Sequence, residues 1–161
     1  MKSIYTKIYL VFKNLKAKCC TALIIGACLL LSGSLYAQIP IIIGSQPQVT
    51  VNPGEVYQLL DTGGELGDYS DNEDLKTDFI ATSGYQIQIT IVNFATEDGY
   101  DFLYVYDGGW KFGTLEYTWD ETPAPTGTFT STDETGFGFH FTSDVSFQRK
   151  GFDITVEAVS S

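Results

Sequence analysis

Carboxylates are the side chains of this sequence best placed to do chemistry. Glu97-Asp98-Gly99-Tyr100-Asp101 packs three acids into five residues, and Ser143-Asp144 closes a run of alternating aromatics. Asp68-Tyr69-Ser70-Asp71-Asn72-Glu73-Asp74 makes a third acidic loop. Oxygen donors drawn from separate loops suit a hard cation such as Ca²⁺, which takes roughly six to eight of them. Acids in turns are also the ordinary means of keeping a loop in water, and composition alone leaves both readings standing. Other chemistry is poorly supplied. Cys19, Cys20 and Cys28 all fall in the first 37 residues, and His140 is the one histidine. The remaining chain therefore lacks the ligands of a thiolate zinc site and has little from which to build a nucleophile–base pair. Glu97 and Asp101 can be cast as the paired carboxylates of a glycosidase. However, no Gly-x-Ser-x-Gly, phosphate loop or sign of a deep cleft accompanies them. A non-catalytic binding module uses the same residues better.

Aromatic residues give the alternative. Trp110 lies in Gly109-Trp110-Lys111-Phe112 and Trp119 in Tyr117-Thr118-Trp119-Asp120, both near an expected loop or hairpin. Exposed, they would stack on sugar rings and make a calcium-independent carbohydrate-binding face. Tryptophan in a small β domain more often fills the core. Phe137, Phe139 and Phe141 share one face of an alternating run and read as core, which turns His140 outward.

These residues need a framework, and composition bounds it. The chain has 161 residues, 43% hydrophobic and 14% aromatic with 18% charged, which suits one compact domain and argues against disorder. Charge divides sharply along it. Residues 1–37 hold five lysines and no acid, so Gln38–Ser161 carries all 20 acids beside Lys76, Lys111, Arg149 and Lys150, a formal charge of −16. Such a surface excludes nucleic acid as the main partner. The basic start, the apolar run Thr21–Leu35 and the small residue Ala37 together read as a secretory signal over residues 1–37. The apolar run is short for a membrane span. Ile25-Gly26-Ala27-Cys28 loosely fits a lipoprotein box, but Leu29-Leu30-Leu31 continues the apolar run past it. The expectation is a protein secreted or held in the cell envelope, with no span after cleavage. Its partner would be an extracellular protein or glycan, and its oligomeric state is not legible. The mature part would have no cysteine and hence no disulfide.

Beyond the signal the sequence alternates. Gln48–Val51, Val56–Leu59, Tyr85–Ile91, Phe102–Tyr106, Gly136–Thr142 and Phe152–Val156 each show a period of two, with turn clusters such as Asp61-Thr62-Gly63-Gly64 and Asp98-Gly99 between them. That pattern predicts an all-β sandwich or barrel. Residues 38–54, with three prolines, read as a leading strand or a linker, and residues 55–159 as the domain.

The order of these pieces resembles the CUB domain family. The resemblance is carried by Ile87–Glu97, by Tyr100-Asp101-Phe102-Leu103-Tyr104-Val105-Tyr106-Asp107-Gly108, and by Ser143-Asp144 followed by Gly151-Phe152. It implies an antiparallel jelly-roll β-sandwich. It also implies a Ca²⁺ site formed by Glu97, Asp101 and Asp144, with Tyr69 in support and a hydroxyl from Ser143 or Ser146. In that family the ion site receives a basic side chain of a partner protein, and Asp98 would be the spare acid beside it. Two departures from the family pattern are the absence of its four cysteines and a 97–101 loop shorter than typical, which bears on the ligand geometry; a lysine-rich signal before a cysteine-free domain of this kind looks bacterial.

Overall fold

The computed structural model describes residues 37–161, so all but the last residue of the expected signal, its cysteines included, lies outside the described residues. Ten strands form: β1 (Ile39–Ile42), β2 (Gln48–Val51), β3 (Val56–Leu60), β4 (Asp74–Ala81), β5 (Tyr85–Ala95), β6 (Phe102–Asp107), β7 (Thr114–Trp119), β8 (Gly127–Thr130), β9 (Phe137–Thr142) and β10 (Gly151–Ser160). They make two five-stranded sheets, ordered β1-β3-β10-β5-β8 and β2-β4-β9-β6-β7. No described helix is long and apolar enough to cross a membrane, which says nothing of a β-barrel.

The all-β sandwich follows from the alternation. On the first sheet Leu59, Ile87, Ile89, Ile154 and Val156 point inward; on the second Phe79, Leu103, Val105, Phe137, Phe139 and Phe141 do. Rings join the two layers, with Phe141 edge-on to Phe152 at 5.3 Å and Tyr57 edge-on to Phe79 at 6.1 Å. A cysteine-free domain thus fills its core with large apolar groups, each worth about 1.5–3 kcal/mol on burial.

One aspect of the sheets departs from a purely antiparallel jelly roll. β1 runs parallel to β3 and β2 parallel to β4, while every other pairing is antiparallel. Both parallel strands come from residues 38–54, which place Ile41 and Ile43, then Val49 and Val51, in the core. The chain passes from one sheet to the other through Gly44, whose N–H donates to Thr77 Oγ1 at 2.9 Å.

Candidate metal and partner site

The three acids expected to act together stand at one end of the sandwich. Glu97 stands two residues after the end of β5, Asp101 immediately before β6, and Asp144 two residues after the end of β9. β6 and β9 are paired, with Phe102 opposite Thr142, and this pairing brings Asp101 and Asp144 side by side. Glu97 and Asp101 are joined by a tight turn in which the Asp101 N–H donates to the Glu97 carbonyl at 3.0 Å. The short loop therefore acts as a single turn. One carboxylate oxygen from each residue lies within 4.8 Å of the others.

Hydrogen bonds fix this arrangement. Tyr69 is fully buried and lies edge-on to Phe141 at 5.1 Å. Its hydroxyl donates to Asp101 Oδ2 at 2.5 Å and accepts the Glu97 N–H at 3.0 Å. Burial, and next the Asp101 hydrogen bond, push its phenol well above the ordinary range, so it stays protonated as a donor. Asp101 Oδ1 accepts the Asp144 N–H at 2.8 Å, and Asp144 Oδ1 accepts the Ser146 N–H at 2.9 Å. Ser146 thus serves Asp144 through its backbone. Ser143 is engaged elsewhere: its Oγ donates to the Ser70 carbonyl at 2.7 Å and accepts the Glu73 N–H at 2.9 Å, tying the third acidic loop to this one.

The electrostatics are unfavourable to three bare carboxylates. Glu97 Oε2 is shut off from water and has no hydrogen-bond partner. Desolvation first, then the charges of Asp144 and Asp101, raise the Glu97 carboxyl, with Arg149 offsetting part of this. A covered carboxylate oxygen without a donor is unfavourable in its charged form. The donor set suits Ca²⁺: all oxygen, formally −3, and spread no wider than two ligands across an ion at about 2.4 Å bonds.

Asp98 is exposed beside this turn, as are Tyr100, Val145 and Phe147 at 63%, 70% and 65%. Phe147 holds a left-handed φ of 59°. A bulky residue there is an outlier that costs about 1–2 kcal/mol. The sequence gives no warning of this apolar rim, since lone exposed apolar residues have no period. It also gives little warning of Asp61. That carboxylate is buried, accepts the Phe152 N–H at 2.8 Å and the Gly63 N–H at 2.8 Å, and is raised mainly by burial. It explains the Gly-Phe pair: a Cβ on Gly151, at φ +68°, would stand 1.9 Å from Asp61 Oδ2. The Asp-x-Gly of the 61–64 turn was its one available signal.

The tryptophans separate. Trp119 is buried, packed against Phe94, Tyr117 and Phe129 at 6.4, 5.2 and 5.2 Å, so it offers no sugar platform. Trp110 is exposed.

No family model and no curated protein matches the sequence. Solved structures do. The full extracellular region of zebrafish Gpr126/Adgrg6 matches with a TM-score of 0.59 at 24% identity, over 73% of this chain and 15% of that one. The CUB1-EGF-CUB2 domains of rat MASP-1 match with a TM-score of 0.54 at 21% identity, over 70% of this chain and 42% of that one. The CUB1-EGF-CUB2 domain of human MASP-1/3 gives 0.54 at 21% identity, over 66% and 42%. This chain thus spans less than half of each of these structures. At these identities the likeness is one of fold, and the fold is CUB-like.

Proposed function

We propose that this protein is an exported, non-catalytic binding module in which Glu97, Asp101 and Asp144 hold Ca²⁺ and the loops around them recognise a partner protein. Glu97 Oε2 carries the reading: it is an unpartnered carboxylate oxygen turned away from water beside two further carboxylates. A dication supplies the positive charge that Arg149 supplies only in part. Tyr69 positions Asp101 and the Glu97 backbone, and Ser146 positions Asp144.

The partner's contact is a lysine or arginine. Carboxylate oxygens left over from the ion accept charge-assisted hydrogen bonds, and exposed Asp98 adds another acceptor. Tyr100, Val145 and Phe147 give the basic side chain an apolar surround, where excluded water strengthens the pair. The formal −16 of residues 38–161 steers basic surfaces toward the domain.

Thermal unfolding in EDTA and then in millimolar Ca²⁺ tests the reading. At about 100 times its dissociation constant, the ion adds about 2.7 kcal/mol, or roughly 10 °C for a domain of this size. Asp144→Ala abolishes that shift. An unmoved midpoint in the parent, or an equal shift in Asp144→Ala, rejects the site.

A further inference from the structure

The outer face of the second sheet carries an aromatic band whose chemistry differs from that of the acidic end. β4, β9 and β6 present their outward residues in rows: Asp74, Thr142 and Phe102; then Lys76, His140 and Tyr104; then Asp78, Gly138 and Tyr106. The Phe102 and Tyr104 rings lie 5.9 Å apart at 34°, and Tyr104 and His140 lie 5.5 Å apart at 37°, so the rings form one continuous surface. The 108–113 turn folds back over this face. A Cβ on Gly138 would lie 2.0 Å from the Trp110 nitrogen, so glycine there is what lets the turn lie down. The Trp110 N–H donates to Asp78 Oδ1 at 3.0 Å. Trp110, 38% exposed, is thereby set beside the band, across Lys76, whose Nζ lies 5.2 Å from its ring centroid. Beyond it a shallow groove of about 720 Å³ runs past Gln48, Asp78 and Phe112, the last 87% exposed.

Charge separates this face from the rest of the domain. Two of the four basic side chains in residues 38–161, Lys76 and Lys111, lie on or beside it, as does the one histidine. Asp74 is bonded to Lys76 and lies 2.7 Å from His140 Nε2. Lys76 and Lys111 thus offset Asp74 and Asp78, leaving Glu134 of the groove as the one uncompensated acid, so this surface is far nearer neutral than the rest of a strongly acidic molecule.

We propose that this face binds a neutral oligosaccharide, as a second site that needs no calcium. A sugar ring has an apolar C–H face and a rim of hydroxyls. The C–H face complements the negative π-face of Trp110, Tyr104 or Phe102, and the hydroxyls meet Asp74 and Gln48 at its edges and His140 within it. Neutrality decides the class. An anionic glycan is repelled by the whole domain, while a basic protein is drawn to the uncompensated acids.

An array of soluble neutral oligosaccharides of three or more residues, with uronate and sulfated chains beside them, tests this with the purified protein in EDTA and in Ca²⁺. The expected result is binding of a neutral chain to equal extent in both buffers, with Trp110 fluorescence shifted and buried Trp119 unaffected. Trp110→Ala and Phe112→Ala, both at exposed positions, weaken it about tenfold or more, and Asp144→Ala does not. No neutral chain bound, binding of anionic chains alone, or affinity unchanged in Trp110→Ala overturns the proposal. Binding that disappears in EDTA also overturns it and assigns the sugar to the acidic end.

Discussion

Removing one oxygen atom from Tyr69 tests how the acidic end is held together. Tyr69→Phe keeps the ring against Phe141 and deletes only the hydroxyl that donates to Asp101 Oδ2 and accepts the Glu97 N–H. A hydrogen bond to a charged acceptor contributes about 1.5–3 kcal/mol, and an orphaned buried donor costs about 1–3 kcal/mol. Asp101 is fully buried, so water does not replace the lost donor. A loss of about 3 kcal/mol follows, a large part of the stability of a small domain. It corresponds to roughly 12 °C in the melting midpoint, read by circular dichroism in EDTA with urea unfolding alongside. A second signature distinguishes the hydroxyl from general damage. The folded phenol titrates above its ordinary value near 10. Stability that depends on its proton is therefore full below pH 10 and is lost as pH rises through the folded value, at up to about 1.4 kcal/mol per pH unit. The Phe variant lacks that component of the alkaline slope. A midpoint lowered by less than about 4 °C, with the alkaline slope unchanged, refutes the reasoning.

Further perturbations probe other points. Gly151→Ala sets a Cβ against Asp61 Oδ2 and forces alanine to φ +68°, so it costs more than about 4 kcal/mol and sharply lowers the urea midpoint and soluble yield. Burial raises the Asp61 carboxyl, so the folded state takes up its proton before the unfolded state as pH falls. Between pH 7 and 4 the parent therefore gains stability relative to Asp61→Asn, measured as the difference of their urea midpoints; a flat difference contradicts this. Phe147→Gly relieves the left-handed φ at an exposed site and raises stability by about 0.5–1 kcal/mol in thermal unfolding, while weakening capture of a lysine-rich peptide in Ca²⁺.

Legibility in the sequence followed the strength of alternation. β5, β6, β9 and β10 stand out because Ile, Leu, Val and Phe fill their inward positions, and three of these carry Glu97, Asp101 and Asp144 at their ends. β4 hides because Thr77 and Ala81 face inward where a hydrophobic count expects larger residues, and its Asp74, Lys76 and Asp78 resemble a loop. β7 and β8 lie at sheet edges with mostly exposed residues, so neither face reads as core. The parallel direction of β1 and β2 leaves no mark in a period of two, because direction is a matter of partners. Trp110 and Trp119 look alike as letters, and only the fold of the 108–113 turn across Gly138 leaves one out in water. Tyr69 comes from a loose match in an acidic loop, and its role depends on a hydroxyl reaching both ends of one turn about 30 residues away.

The order of strands in the first sheet sets where the domain points. β10 begins at Gly151 opposite Ala95, near the acidic turn, and ends at Ser160 opposite Tyr85. β1 begins at Ile39 opposite Tyr57, which faces Val156 late in β10, and Gln38 reaches Thr155 at 3.1 Å. The backbone therefore enters β1 and leaves β10 toward the same pole, and the carboxylates occupy the opposite one. Ten residues of strand put roughly 30 Å between the poles. Whatever holds the chain by that near pole presents the acidic loops outward at full reach, and neighbouring copies held alike would display them in one plane. A pull applied between the two poles would run lengthwise along β3, β5 and β10, loading their ladders of hydrogen bonds together in shear instead of opening them one at a time.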